Sequence, residues 1–113
     1  MNEGPPEFVV SVKGGSILIP FETYETYLRS ITAVALMIHS NEVILIPLIH
    51  DSAGGLLLKI RNAKGDRIVH SQEFLRSNGI EETDNSAEFP VVWLPDRGAL
   101  HIMGLKIQAT LDM

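Results

Sequence analysis

The sequence predicts a mostly β fold with two short helices, in which two copies of one unit close a small barrel. Three observations predict it. Apolar residues alternate at the two-residue period of a strand through most of the chain. That period gives way twice to a helical one. The stretch from Asn62 to Ile80 also has a weaker copy about fifty residues earlier.

Phe8, Val10 and Val12 alternate with Val9 and Ser11, as in a strand with one face more buried than the other. Lys13-Gly14-Gly15-Ser16 follows, and paired glycines accept the positive φ values of a tight hairpin turn before Ile17-Leu18-Ile19 returns. Pro20 ends that strand, since it has no N–H for the ladder and suits the first turn of a helix. Phe21, Tyr24, Leu28 and Ile31 then mark one face of a helix expected from Phe21 to Ser30, with Glu22 and Glu25 near its positive end. Ala33 to His39 and Glu42 to Ile49 are two β-rich apolar runs joined at Ser40-Asn41. Pro47 frays the second or puts it at an edge.

After the joint Asp51-Ser52-Ala53-Gly54-Gly55 the pattern starts over. Leu58 and Ile60 alternate with Lys59 and Arg61, Asn62-Ala63-Lys64-Gly65 turns, and Ile68-Val69 lies on the returning strand. Ser71 is the expected helix N-cap, Glu73 sits in the first turn, and Phe74 and Leu75 face the core. Gly79 suits the left-handed position past the helix end, with Ile80 as the hydrophobic contact that accompanies such a cap. Glu81 to Glu88 reads as a polar loop. Phe89 to Leu94 and Ala99 to Met103 form a last hairpin around Pro95-Asp96-Arg97-Gly98.

The halves match with Lys13-Gly14 over Lys64-Gly65, Ile17 over Ile68 and Glu22 over Glu73. Leu-Arg-Ser at 28–30 matches 75–77 only if the first helix is about one turn longer. The expected organisation is a single domain with one repeat over residues 8–50, a linker over 51–55 and a second repeat over 56–103. An extra C-terminal strand over 104–113, in which Leu105, Ile107, Ala109 and Leu111 alternate with polar residues, has no counterpart in the first half. It is a candidate to cover a barrel edge or to meet a protein partner.

At 113 residues the chain has room for one domain with a real core, and 20% charged residues is ordinary globular composition. It has no cysteine, so disulfides, thiolate zinc sites and thiol nucleophiles are excluded. The acidic first residues lack the basic region and apolar run of a signal peptide. The longest apolar runs fall short of the ~20 residues that span a bilayer, so the expectation is a cytoplasmic protein. The net charge of −5 hides a pattern: Lys59, Arg61, Lys64, Arg67 and Arg76 outweigh Asp66 and Glu73 over residues 59–76, between two acidic flanks. Such a run is either an anion-binding face or a solvated hairpin.

Gly15-Ser16-Ile17-Leu18-Ile19-Pro20 and Asn41-Glu42-Val43-Ile44-Leu45-Ile46-Pro47, with Lys64 to Ile80 as a diverged copy, resemble the AbrB-like swapped-hairpin group of bacterial transition-state regulators and antitoxins. The doubled arrangement is similar to that of MraZ-like proteins and of the related double-psi barrels, in which two such units interlock. The resemblance implies a swapped-hairpin or double-psi closure, an oligomer, and a cytoplasmic regulator whose basic hairpins and helix starts hold DNA. This chain departs from the family's pattern in having Gly14-Gly15-Ser16 without the arginine that precedes the family's strand, Tyr24 where the family has an arginine on the helix, and Ser71 in the second proline position. Lys59, Arg61, Lys64, Arg67 and Arg76 are then the candidate phosphate contacts.

Catalytic and metal chemistry find little footing. Gly15-Ser16 resembles the self-cleaving dipeptide of the aspartate decarboxylase family, but Gly-Ser in a hairpin is ordinarily a turn. His39, His50, His70 and His101 show no short ligand spacing, and Glu81, Glu82, Asp84 and Glu88 lack the regular oxygen spacing of a calcium loop. No cofactor and no catalytic residue is expected. The alternative to DNA binding is a non-catalytic barrel that assembles with itself or a protein partner, with Phe8, Trp93 and Leu105 to Leu111 as its candidate surface.

Overall fold

A computed structural model describes residues 8–49, 54–80 and 85–107. β1 (Val9–Lys13) and β2 (Ser16–Ile19) form a hairpin across Gly14 and Gly15, whose φ values of +59° and +81° no branched residue would accept. Pro20 caps α1 (Phe21–Tyr27), which stops short of the expected Ser30 because Ser30 itself is left-handed. β3 (Ala33–His39) and β4 (Glu42–Leu48) turn at Ser40 and Asn41, both at positive φ. Among described residues, the sheet partner of β4 on its far side ends at Leu45, so Pro47 lies where the strand is effectively an edge.

The second half differs in detail from its expectation. β5 (Leu56–Leu57) and β6 (Lys59–Ile60) are separate short strands broken at the buried Leu58, so the alternation fails and Ile60 is 70% exposed. β7 (Arg67–His70) leads into α2 (Gln72–Ser77). Ser71 stands at the N-cap position, but its hydroxyl donates to the Gly15 carbonyl at 2.6 Å instead of capping the helix. The C-terminus is as expected: Ile80 N–H donates to Leu75 O, Gly79 N–H donates to Arg76 O, and Gly79 has φ +71°. β8 (Ala87–Leu94) takes in the last two residues of the expected acidic loop. β9 (Ala99–Lys106) runs on past Met103 through Gly104 at φ +92°, so the start of the expected extra C-terminal strand is continuous with it. The rest of that strand, residues 108–113, lies outside the described residues, as do Asp51 to Ala53 of the linker and Glu81 to Asp84 of the acidic loop.

Strands pair antiparallel throughout in the order β5-β3-β4-β9-β8-β1-β2-β7-β6. The two ends of this ribbon, β5 and β6, are consecutive in the chain, so the sheet curls into a nearly closed barrel. The hairpins are exchanged between the halves, β8 lying on β1 and β3 on β5. The fold is therefore mostly β with two short helices, as the sequence indicates.

The pairings also correct how the halves correspond. Ile17 lies opposite Val69 and Leu18 opposite Ile68. Paired residues share a face and neighbours alternate, so Ile17 and Ile68 lie on opposite faces and are not equivalent. Matching Ile17 to Val69 and Ile44 to His101 superposes the ladders. Met37–Ile44 then falls on Val92–His101, Leu36–Leu45 on Val91–Ile102, and Val34–Leu56 on Phe89–Val10. The recurring Lys-Gly and Ile displaced the sequence match by one residue. The helices also differ by one residue and not by a turn, so the two Leu-Arg-Ser stretches do not correspond.

Inside the barrel, Val10, Ile17, Ile19, Leu28, Val34, Val43, Leu45, Val69, Leu75, Leu100 and Ile102 are completely buried. Each such side chain contributes about 1.5–3 kcal/mol of transfer free energy. Phe8 and Trp93, which the sequence offered as surface residues, sandwich Tyr27, with ring centroids 5.3 and 6.0 Å away, and pack against this core.

Candidate nucleic-acid interface

The two glycine turns do more than reverse the chain: each seats the helix of the other half. In the β1–β2 turn, Gly14 and Gly15 offer their carbonyls to Gln72 Nε2 (3.2 Å) and Ser71 Oγ (2.6 Å) at the start of α2. In the loop between β6 and β7, Asp66 Oδ1 accepts from the Phe21 N–H at the start of α1, at 2.8 Å. Both contacts are close enough to exclude a side chain. A Cβ on Gly15 would lie 2.7 Å from Gln72 Cγ, and one on Gly65 2.7 Å from the Phe21 ring.

Asn62 gives the second loop its shape. Its Oδ1 accepts from the amides of Gly65 and Asp66, its Nδ2 donates to Asp66 Oδ2, and all three distances are 3.1 Å. Accepting from amides three and four residues on, the asparagine side chain closes the loop on itself, which explains why asparagine opens a loop of this size. The Asn62 hydrogen bond, followed by the Phe21 amide, holds the Asp66 carboxyl below its ordinary value, and Lys64 and Arg61 add to the effect.

An open groove of about 350 Å³ runs between the end of β1 and the β6–β7 loop. Lys13 enters it from the end of β1, Arg61 and Lys64 from the loop, and Asp66 is its carboxylate, with Pro20 and Ser86 on its walls. Lys13, Arg61 and Lys64 are exposed, so their cations reach an anion without a desolvation penalty.

Not all the expected contacts gather there. Arg67 is engaged elsewhere: its guanidinium lies 3.9 Å from the centroid of the Tyr24 ring, and its Nη1 donates to the Gly65 carbonyl. The arginine thus takes up the tyrosine that stands where the AbrB-like pattern has an arginine. Lys59 is exposed on β6, two residues before Arg61, and Arg76 is exposed in the last turn of α2; neither lines the groove. Lys13 was missed as a contact, although its alignment with Lys64 had already placed it in the equivalent turn.

No protein-family model, no curated protein and no solved structure matches this chain. Function therefore has to be argued from the site itself.

Ser16, His70 and His101 are tied into the scaffold. Ser16 Oγ lies 3.3 Å from His70 Nδ1 across the β2–β7 ladder and accepts from Gln72 Nε2 at 3.1 Å, a pairing the sequence gave no reason to expect. His101 Nε2 is 2.6 Å from Glu42 Oε1 between β9 and β4. Among the described residues no three His, Asp or Glu side chains gather where they could hold a metal ion, and no helix is long and apolar enough to cross a membrane.

Proposed function

We propose that this protein is a cytoplasmic, DNA-binding regulator of the AbrB-like kind that grips the phosphate backbone through the groove of Lys13, Arg61 and Lys64. One observation carries the reading: turns from opposite halves of a chain of net charge −5 bring three exposed cations to one open groove. Phosphate oxygens are the ligands such a set neutralises best, and lysine and arginine gain affinity there by releasing condensed counterions. Lys59, beside Arg61 on the outer strand, extends the basic surface along the sheet edge. The contacts are to backbone and carry no base code, so the reading gives duplex binding without naming a sequence.

A second reading, a barrel that assembles without DNA, is favoured by the Asp66 carboxylate among the three cations and by the acidic remainder of the chain. Titrating labelled mixed-sequence duplex with the protein and with a Lys13→Ala/Arg61→Ala/Lys64→Ala variant separates the two. The DNA reading expects salt-sensitive binding that the triple variant loses. No binding by either at low salt would favour the second reading, and equal binding by both would move the DNA contacts away from this groove.

A further inference from the structure

A sheet with one face in water alternates apolar and polar residues; one covered on both faces does not. The four adjacent strands β3, β4, β9 and β8 are of the second kind. Their inward residues fill the barrel, yet the outward row formed by Met37, Ile44, His101 and Val92, each paired with the next across the sheet, is also largely apolar. Ile46 and Met103 extend the row along β4 and β9. Met37, Val92 and Met103 are 52%, 44% and 41% exposed. Ile44 is buried by its neighbours while lying outside the core cluster. His101 already has its hydrogen bond to Glu42.

We infer that this outer face is a docking surface for a second copy of the chain, packed sheet to sheet about a two-fold axis. Two features select a copy of itself as the occupant. The face is centred on the Ile44–His101 pair, where the two halves meet their own counterparts, so Met37 mirrors Val92 and Ile46 mirrors Met103. Such a patch suits an isologous interface, which needs one surface complementary to itself. Its size also fits. Four strands at ~4.8 Å spacing, each contributing about seven residues at ~3.3 Å, give roughly 440 Å² of flat sheet. Side-chain relief raises that toward the ~600 Å² per partner at the lower end of specific interfaces. The strand order puts this face on the opposite side of the barrel from β2 and β7, and no residue of the outward row lines the basic groove, so the inference does not depend on the DNA reading.

Sedimentation velocity on the full chain tests it. The wild type is expected at twice the 12.5 kDa chain mass, and Met37→Lys/Val92→Lys is expected to weaken the dimer at least about tenfold. Ile60→Lys, at a more exposed apolar residue off this face, is expected to leave it intact. Because the chain has no cysteine, Met37→Cys provides an independent check that needs no charge on the sheet. A bismaleimide spanning the ~10 Å between packed sheets should link Met37→Cys into a covalent dimer and leave Ile60→Cys monomeric. A monomeric wild type, a dimer indifferent to the double substitution, or equal cross-linking at both positions would overturn the inference.

Discussion

Changing Gly15 to Ala should damage the fold far more than changing its neighbour Gly14, though both occupy the same turn. At Gly14, φ is +59° and an added Cβ meets nothing within 4 Å. That substitution costs only the left-handed strain of an L-residue, about 1–2 kcal/mol. At Gly15, φ is +81° and the added Cβ would sit 2.7 Å from Gln72 Cγ and 3.2 Å from Gln72 Cα. The side chain could swing away, but the Cα belongs to the first turn of α2, which Ser71 and Gln72 hold against this turn. Overpacking against backbone adds about 1–3 kcal/mol, for roughly 2–5 kcal/mol in all. Urea unfolding followed by circular dichroism is the assay. With a mid-range slope of about 2 kcal/mol/M, Gly15→Ala should lower the midpoint by about 1–2.5 M with the slope unchanged. Gly98→Ala, at φ +59° with open space around it, is the control for strain alone. Equal losses for Gly14→Ala and Gly15→Ala would refute the idea that this turn is a seat for the helix of the other half.

Three further outcomes follow from the same seam and its surroundings. The Asp66 carboxyl is held below its ordinary value in the folded chain, so its stabilising effect is complete above that value, near pH 4, and is lost as the pH falls through the lower folded value. Asp66→Asn should flatten the acid limb of the stability–pH curve below about pH 4, and an unchanged limb would assign acid sensitivity elsewhere. Arg67→Lys should cost about 1 kcal/mol in chemical denaturation by losing the planar contact with Tyr24, and no loss would mean the arginine is free for phosphate. Ser71→Ala should cost about 1–3 kcal/mol by removing the buried donor to the Gly15 carbonyl, whereas a loss within a few tenths would make the bond incidental.

Much of the architecture was legible because local chemistry and global fold agree. Glycine pairs, Pro20, Gly79 with Ile80, and the Ser40-Asn41 joint each announce a chain reversal or a helix end, and each stands where its chemistry requires. The correspondence of the halves was not legible to the residue. Strand faces alternate with every position, and only pairing across the barrel, Ile17 with Val69, reveals that Ile68 points the other way. Ile60 looked like a core residue for the same reason: the break at Leu58, which sends β5 to β3 and β6 to β7, leaves no mark in composition. At the candidate site, the basic run flagged Arg61 and Lys64 from charge alone. Lys13 lies fifty or so residues away and joins them only because the hairpins exchange, while Arg67 leaves the set because Tyr24 is beside it.

The most direct test is the salt dependence of duplex binding. With three phosphates neutralised by Lys13, Arg61 and Lys64, the logarithm of the association constant should fall against the logarithm of salt with a slope of about −2.7, a loss of roughly fortyfold between 50 and 200 mM. Lys13→Ala, the substitution farthest in sequence from the basic run, should reduce the slope by about 0.9. A slope near zero, or one that Lys13→Ala leaves unchanged, would contradict the proposal that the groove holds DNA.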